Sequence, residues 1–132
     1  MANEFARNIQ DAALTATKAL PAANASATTD AFRIGSGRAL ENVELEVSVP
    51  ATPSLADDKK LTVELVTGST SSPSTVKQQI FQLTGAGGAG AAATTKRVRV
   101  PSDCLEYIAV KATVDASGGD NTAVSLTAKL LH

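Results

Sequence analysis

The chain has 132 residues, the length of one domain, and carries 12 Lys and Arg against 13 Asp and Glu for a formal charge of −1, so no basic field exists to hold a phosphate backbone. Its one cysteine, Cys104, excludes a disulfide within the chain and fits synthesis in a reducing cytoplasm. Of the 43% hydrophobic residues, 24 are Ala and only 30 are Val, Ile, Leu or Phe; the predicted core is therefore thin, since burying a Leu or Val gives about 1.5–3 kcal/mol against about 1–2 kcal/mol of backbone entropy per ordered residue, and support from an oligomer or a larger surface is expected.

Residues 1–22 read as an N-terminal arm or first strand. Phe5, Ile9, Ala12 and Ala16 form a helical stripe, while Leu14, Ala16 and Leu20 form an alternating one, so periodicity does not decide between them. Asn3 is a candidate cap and Pro21 ends the segment. Ala23-Asn24-Ala25 has the small residues of a leader cleavage site, but Glu4 and Asp11 spoil the basic start and Lys18 interrupts the weakly apolar Ala12 to Leu20. No stretch approaches the roughly 18–20 apolar residues needed to cross a bilayer, so the expectation is a soluble chain with no membrane partner.

Residues 23–132 read as one β-sandwich domain. Ala31 to Ile34 is a brief strand before Gly35-Ser36-Gly37. Ala39 to Val49 alternates clearly, with Val43, Leu45, Val47 and Val49 on one face, Glu44, Glu46 and Ser48 on the other, and Pro50 as the stop. After the loop Pro50 to Lys60, Leu61, Val63 and Leu65 alternate with Thr62, Glu64 and Val66. Thr75 to Thr84 is a further run anchored by Val76, Ile80 and Phe81.

Gly85 to Thr95 is a Gly/Ala tract, too poor in packing groups to form an element, and is expected to be a mobile loop. Lys96 to Val100 is a short strand ended by Pro101-Ser102-Asp103. Cys104 to Val114 and Val124 to Leu130 both alternate and flank Asp115 to Asn121, whose turn chemistry predicts that the two runs pair with each other as an antiparallel hairpin. In all, about eight strands are predicted, at the spacing of an all-β sandwich or jelly roll.

Chemistry is scarce. Gly85-x-Gly87-x-x-Gly90 matches a dinucleotide fingerprint in letters only, because a β-like run follows where a helix must receive the pyrophosphate. The one histidine, His132, is the last residue, so no base stands ready for a Ser, Thr or Cys nucleophile. Cys104 reads as a small core residue. Glu44 with Glu46 lies on a polar strand face, and Asp57-Asp58-Lys59-Lys60 is a solvated turn, so neither carboxylate pair reads as acid/base machinery. The Asp115 to Asp120 loop has oxygen ligands for Ca²⁺ but reads as a hairpin loop. The chain has no Trp and one Tyr, which weighs against a glycan-stacking surface. No catalytic residue, cofactor or metal site is predicted. Arg97 and Arg99, two apart on one strand face, are the candidates for pairing with an acidic partner.

The arm, the segment Ser26-Ala27-Thr28-Thr29-Asp30-Ala31-Phe32-Arg33-Ile34-Gly35-Ser36-Gly37, and the strands Leu45 to Pro50 and Leu61 to Leu65 together resemble the jelly-roll capsid cement (decoration) proteins of tailed bacteriophages, of the kind seen on a short-tailed Bordetella phage. The resemblance runs along most of the chain. The Gly/Ala loop and the Glu-rich strand depart from it. It implies a non-enzymatic virion protein, made in the bacterial cytoplasm, that binds the outside of the head, bridges major capsid protein subunits and forms a homo-oligomer, a dimer or trimer. Sheet edges that add a strand to a neighbouring chain and an arm that orders on binding through Phe5 and Ile9 are the contacts expected under that reading. A tail or fibre accessory sandwich that binds host glycan is the alternative binding module; a small carboxylate hydrolase is the enzymatic one.

Overall fold

The computed structural model describes residues 15–34, 43–101 and 103–131. Among them the chain is all-β, with β1 (Thr15–Ala19), β2 (Ala25–Thr28), β3 (Phe32–Arg33), β4 (Glu44–Val49), β5 (Lys60–Gly68), β6 (Thr75–Thr84), β7 (Thr94–Arg99), β8 (Tyr107–Val114) and β9 (Ser125–Leu131). Two antiparallel sheets form, one ordered β1-β9-β4-β7 and one ordered β2-β8-β5-β6, with β3 also on β8. Counted as one interrupted strand, β2 and β3 make eight strands that pair first with last, second with seventh, third with sixth and fourth with fifth. That is a long hairpin rolled into two layers, the jelly roll, and the expected fold is the one found.

Period-two alternation decides the layers. β4 buries Leu45, Val47 and Val49, and β9 buries Leu126, Ala128 and Leu130. Across the core they meet Leu61, Val63 and Leu65 of β5 and Ile108, Val110, Ala112 and Val114 of β8. At Thr15–Ala19 the alternating stripe prevails over the helical one, because pairing with β9 turns Ala16 to the core, and Leu20 follows it inward.

The two last long runs do not pair with each other, contrary to the hairpin expectation. β8 lies between β5 and β2/β3, whereas β9 lies between β4 and β1 in the other sheet. Each has one apolar face, and the loop between them crosses the sandwich so that those faces oppose one another rather than stand side by side. Local alternation is identical in the two arrangements.

Two further expectations change. Val76 is 46% exposed rather than an anchor. β6 has register shifts opposite Val63/Glu64 and Leu65/Val66, leaving Ile80 and Lys77 as extra residues. The bulge at Ile80 lets two consecutive residues, Ile80 and Phe81, both enter the core, while Val76 falls opposite Val66 on the outer face. The strand of the 39–49 run is described from Glu44, and Cys104 precedes β8 as a buried loop residue.

The Gly/Ala tract is a defined turn rather than a loose loop. Thr52 and Ala91 exchange both backbone hydrogen bonds, at 2.9 and 3.2 Å, the Gly85 amide donates to Lys59 O at 3.0 Å, and the Asp58 amide donates to Gly85 O at 2.9 Å. Gly90, at φ +72°, brings its backbone so close to Thr52 that a Cβ there would stand 1.8 Å from the Thr52 carbonyl oxygen. The other loops at this end join the same cap: the Ala56 amide donates to Gly118 O at 3.1 Å, and the Asn24 amide to Asp115 O at 3.1 Å. Leu55 closes the core beneath it.

Candidate interaction surfaces

The carboxylates of the described residues are mostly engaged in holding the chain's own turns and strands. Asp57 Oδ1 accepts the Gly88 amide at 2.9 Å, and Asp115 Oδ2 accepts the Lys60 amide at 2.9 Å. Asp120 Oδ1 accepts both the amide and the hydroxyl of Thr122, at 3.0 and 2.6 Å, and these bonds hold its carboxyl below the ordinary value. Lys77 and Asp103 pair at 2.6 Å, which likewise lowers the Asp103 pKa, and Arg33 pairs with Glu106 at 2.6 Å. Burial pushes the Cys104 thiol up, away from a reactive thiolate. Among the described residues no group of three His, Cys, Asp or Glu is placed to hold a metal ion. Asn121, buried in the β8–β9 loop, donates its amide to Gly118 O and Gly119 O; its Oδ1 has no partner among the described residues.

A groove of ≈ 560 Å³ opens where β2 breaks into β3 and faces the β5–β6 loop, lined by Thr28, Thr29, Asp30, Ser71, Ser72 and Pro73. Hydroxyls dominate it, and none of its lining residues is aromatic. The break itself is bridged by Thr29, whose amide donates to Val110 O at 2.9 Å and whose hydroxyl accepts the Val110 amide at 3.1 Å. A side chain thus completes the ladder where the backbone leaves it.

The candidate pair Arg97 and Arg99 lies on the outer face of the β1-β9-β4-β7 sheet, because Leu45 opposite Val98 fixes the register and turns the neighbouring positions outward. Arg97 reaches Glu46 at 2.9 Å and Glu44 at 3.7 Å, and the hydrogen bond it donates to Glu46 raises its pKa. It is therefore engaged within the chain. Arg99 stands opposite Glu44 in register but makes no ion pair among the described residues. Phe5 and Ile9 lie outside the described residues.

Register also places two lysines that the sequence pattern did not single out. Lys18 of β1 is opposite Leu126, and Lys96 of β7 is opposite Val47, so each occupies a core-facing position on an edge strand while remaining exposed. The available signal was a charge in an alternating run at an apolar phase, Lys18 between Ala16 and Leu20, and Lys96 two residues before Val98.

No family model matches the chain, and no curated protein matches it in sequence. Among solved structures it is similar to the VP2 subviral particle of infectious bursal disease virus, at 10% identity and TM-score 0.43 over 89% of this chain and 30% of that one. It is also similar to the structures of the Gx and Gt strains of that virus, at 10% identity over 96% of this chain, with TM-scores of 0.42 and 0.39. The chain spans less than a third of the length of these proteins, 31% for the Gx structure. At that identity and those scores the likeness carries no functional argument, and what those particles do remains a statement about them.

Proposed function

We propose that this chain is a non-enzymatic virion structural protein that binds the outer surface of a tailed-phage head and reinforces contacts between major capsid subunits. The observation that carries the reading is the pairing order of the two sheets, a jelly roll, which is the fold the sequence resemblance calls for. Its carboxylates brace turns and sheet registers instead of converging in a cleft, which supports work by surfaces rather than by bond chemistry. The thin core and the polar outer faces are compatible with a module that gains stability by repetition over a lattice.

The test is direct. Purified protein is mixed over a concentration range with heads assembled in its absence, and the mixture is pelleted. Saturable co-sedimentation is the expected result; no saturable binding overturns the reading. Binding to a glycan array without any affinity for such heads would transfer the protein to the tail or fibre class.

A further inference from the structure

Each of the four sheet margins is obstructed against adding a strand. Lys18 and Lys96 place a charge at a core-facing position on the two edges of the β1-β9-β4-β7 sheet. In the other sheet one edge is broken between β2 and β3, and the opposite edge, β6, carries two extra residues. Inward-facing charges, interruptions and bulges are the means by which β proteins prevent edge-to-edge pairing. Strand addition, expected from the sequence resemblance, is thus disfavoured at every margin, and contact falls to a face or a loop cluster.

The candidate surfaces differ in charge. On the outer face of the β1-β9-β4-β7 sheet, Arg97, Arg99 and Lys129 stand against Glu44 and Glu46, a net of +1, with Lys18 and Lys96 exposed at core-facing positions of its two edge strands, whereas the remaining described residues hold five cations and eight carboxylates, a net of −3. The loop cap uses its polar groups on itself, and the outer face of the second sheet is partly occupied by the β5–β6 loop, where Pro73 rests on Gly68. The positive sheet instead presents a hydroxyl row, Thr17, Thr127, Ser48 and Thr95, beside a charged row that includes Lys129, Glu46 and Arg97.

Resting on the head-binding reading above, we propose that the outer face of the β1-β9-β4-β7 sheet is the surface that seats on the capsid, and that its partner there is a carboxylate-bearing protein surface. Arg99 and Lys129 supply the cations of the face; neither has an ion-pair partner among the described residues. Arg97 is a positioning residue that holds Glu44 and Glu46 against the sheet. Those two carboxylates in the middle of the face oppose a continuous phosphate backbone and fit a partner of mixed charge, while the hydroxyl row suits a hydrated, polar interface.

Two double variants of equal net charge test this: Arg99→Gln with Lys129→Gln, and, as the control away from the face, Lys59→Gln with Lys111→Gln. Each full-length protein is titrated against heads assembled without it at two salt concentrations, with circular dichroism confirming the β fold. The face variant should bind about tenfold more weakly, the loss of two modest rim pairs, and its binding should depend less on salt, whereas the control should stay within about twofold of the parent. Parent binding that the face variant leaves unchanged, or that both variants weaken equally, overturns the docking face while leaving head binding intact. A parent that does not pellet with heads overturns the head-binding reading and the docking face with it. Retention of the parent but not the face variant by a duplex DNA oligonucleotide at about 0.15 M salt would assign the face to nucleic acid and overturn the protein partner.

Discussion

Replacing Gly90 by Ala puts a methyl where the Thr52 carbonyl oxygen stands, 1.8 Å from the added Cβ, and carbon atoms essentially never approach so closely as 3.0 Å there. The two loops must separate by more than about 1 Å, a movement that loosens the paired bonds between Thr52 and Ala91 at 2.9 and 3.2 Å. Each such bond contributes a net of about 0.5–1.5 kcal/mol, and a left-handed backbone adds about 1–2 kcal/mol for a residue with a Cβ. The sum is about 3 kcal/mol, a fall in Tm of roughly 10 °C for a chain of this length. Gly88→Ala is the matched control: φ is +70° but nothing lies within 4 Å of the added Cβ, so only the backbone cost applies. Thermal unfolding followed by circular dichroism reads both variants. If the Gly/Ala tract were a free linker, each substitution would instead stabilise by about 0.4–1 kcal/mol through the unfolded chain. A Gly90→Ala protein as stable as the parent, or no less stable than Gly88→Ala, refutes the pinned cap.

Thr29→Val should cost about 1–3 kcal/mol in urea unfolding because it strands the buried Val110 amide, and Thr29→Ser, which retains the hydroxyl, should recover most of it. Lys18→Val with Lys96→Val should turn both margins of one sheet adhesive, read as concentration-dependent association by light scattering; a protein that keeps the parent's mass at all concentrations contradicts the role assigned to those lysines. Asp120 has a folded pKa below its ordinary 3.8, so its stabilising contribution is present above that value and is lost as pH falls through the lower folded pKa. Asp120→Asn should therefore lower Tm at neutral pH, with the gap to the parent closing on acidification below about pH 4.

The strand pattern was legible because a half-buried strand writes its two faces into alternate residues. Leu45, Val47 and Val49 against Glu44, Glu46 and Ser48 needed no tertiary information. The same rule misread Val76, since a bulge shifts phase by one residue and leaves no mark in composition. It also gave Lys18 and Lys96 no role, because a lysine at an apolar phase has meaning only once its strand is known to lie at a sheet edge. The Gly/Ala tract looked featureless for a related reason: its order comes from backbone bonds to distant residues, from Gly85 to Asp58 and Lys59 and from Ala91 to Thr52, and backbone groups are the same in every sequence.

Composition and alternation by themselves determined an all-β chain with a thin core and little material for catalysis, since those are properties of residue types and of their period. Only the tertiary structure decided which strand lies beside which. It separated β8 from β9, although their sequences alternate as a hairpin's would, and it ranked Arg99 apart from Arg97 by supplying the second with two carboxylates. The physical reason is the same in both cases. Alternation fixes which side of a strand is buried, but neighbours across a sheet are chosen by the summed packing of two layers, and that sum is carried by residues far apart in the chain.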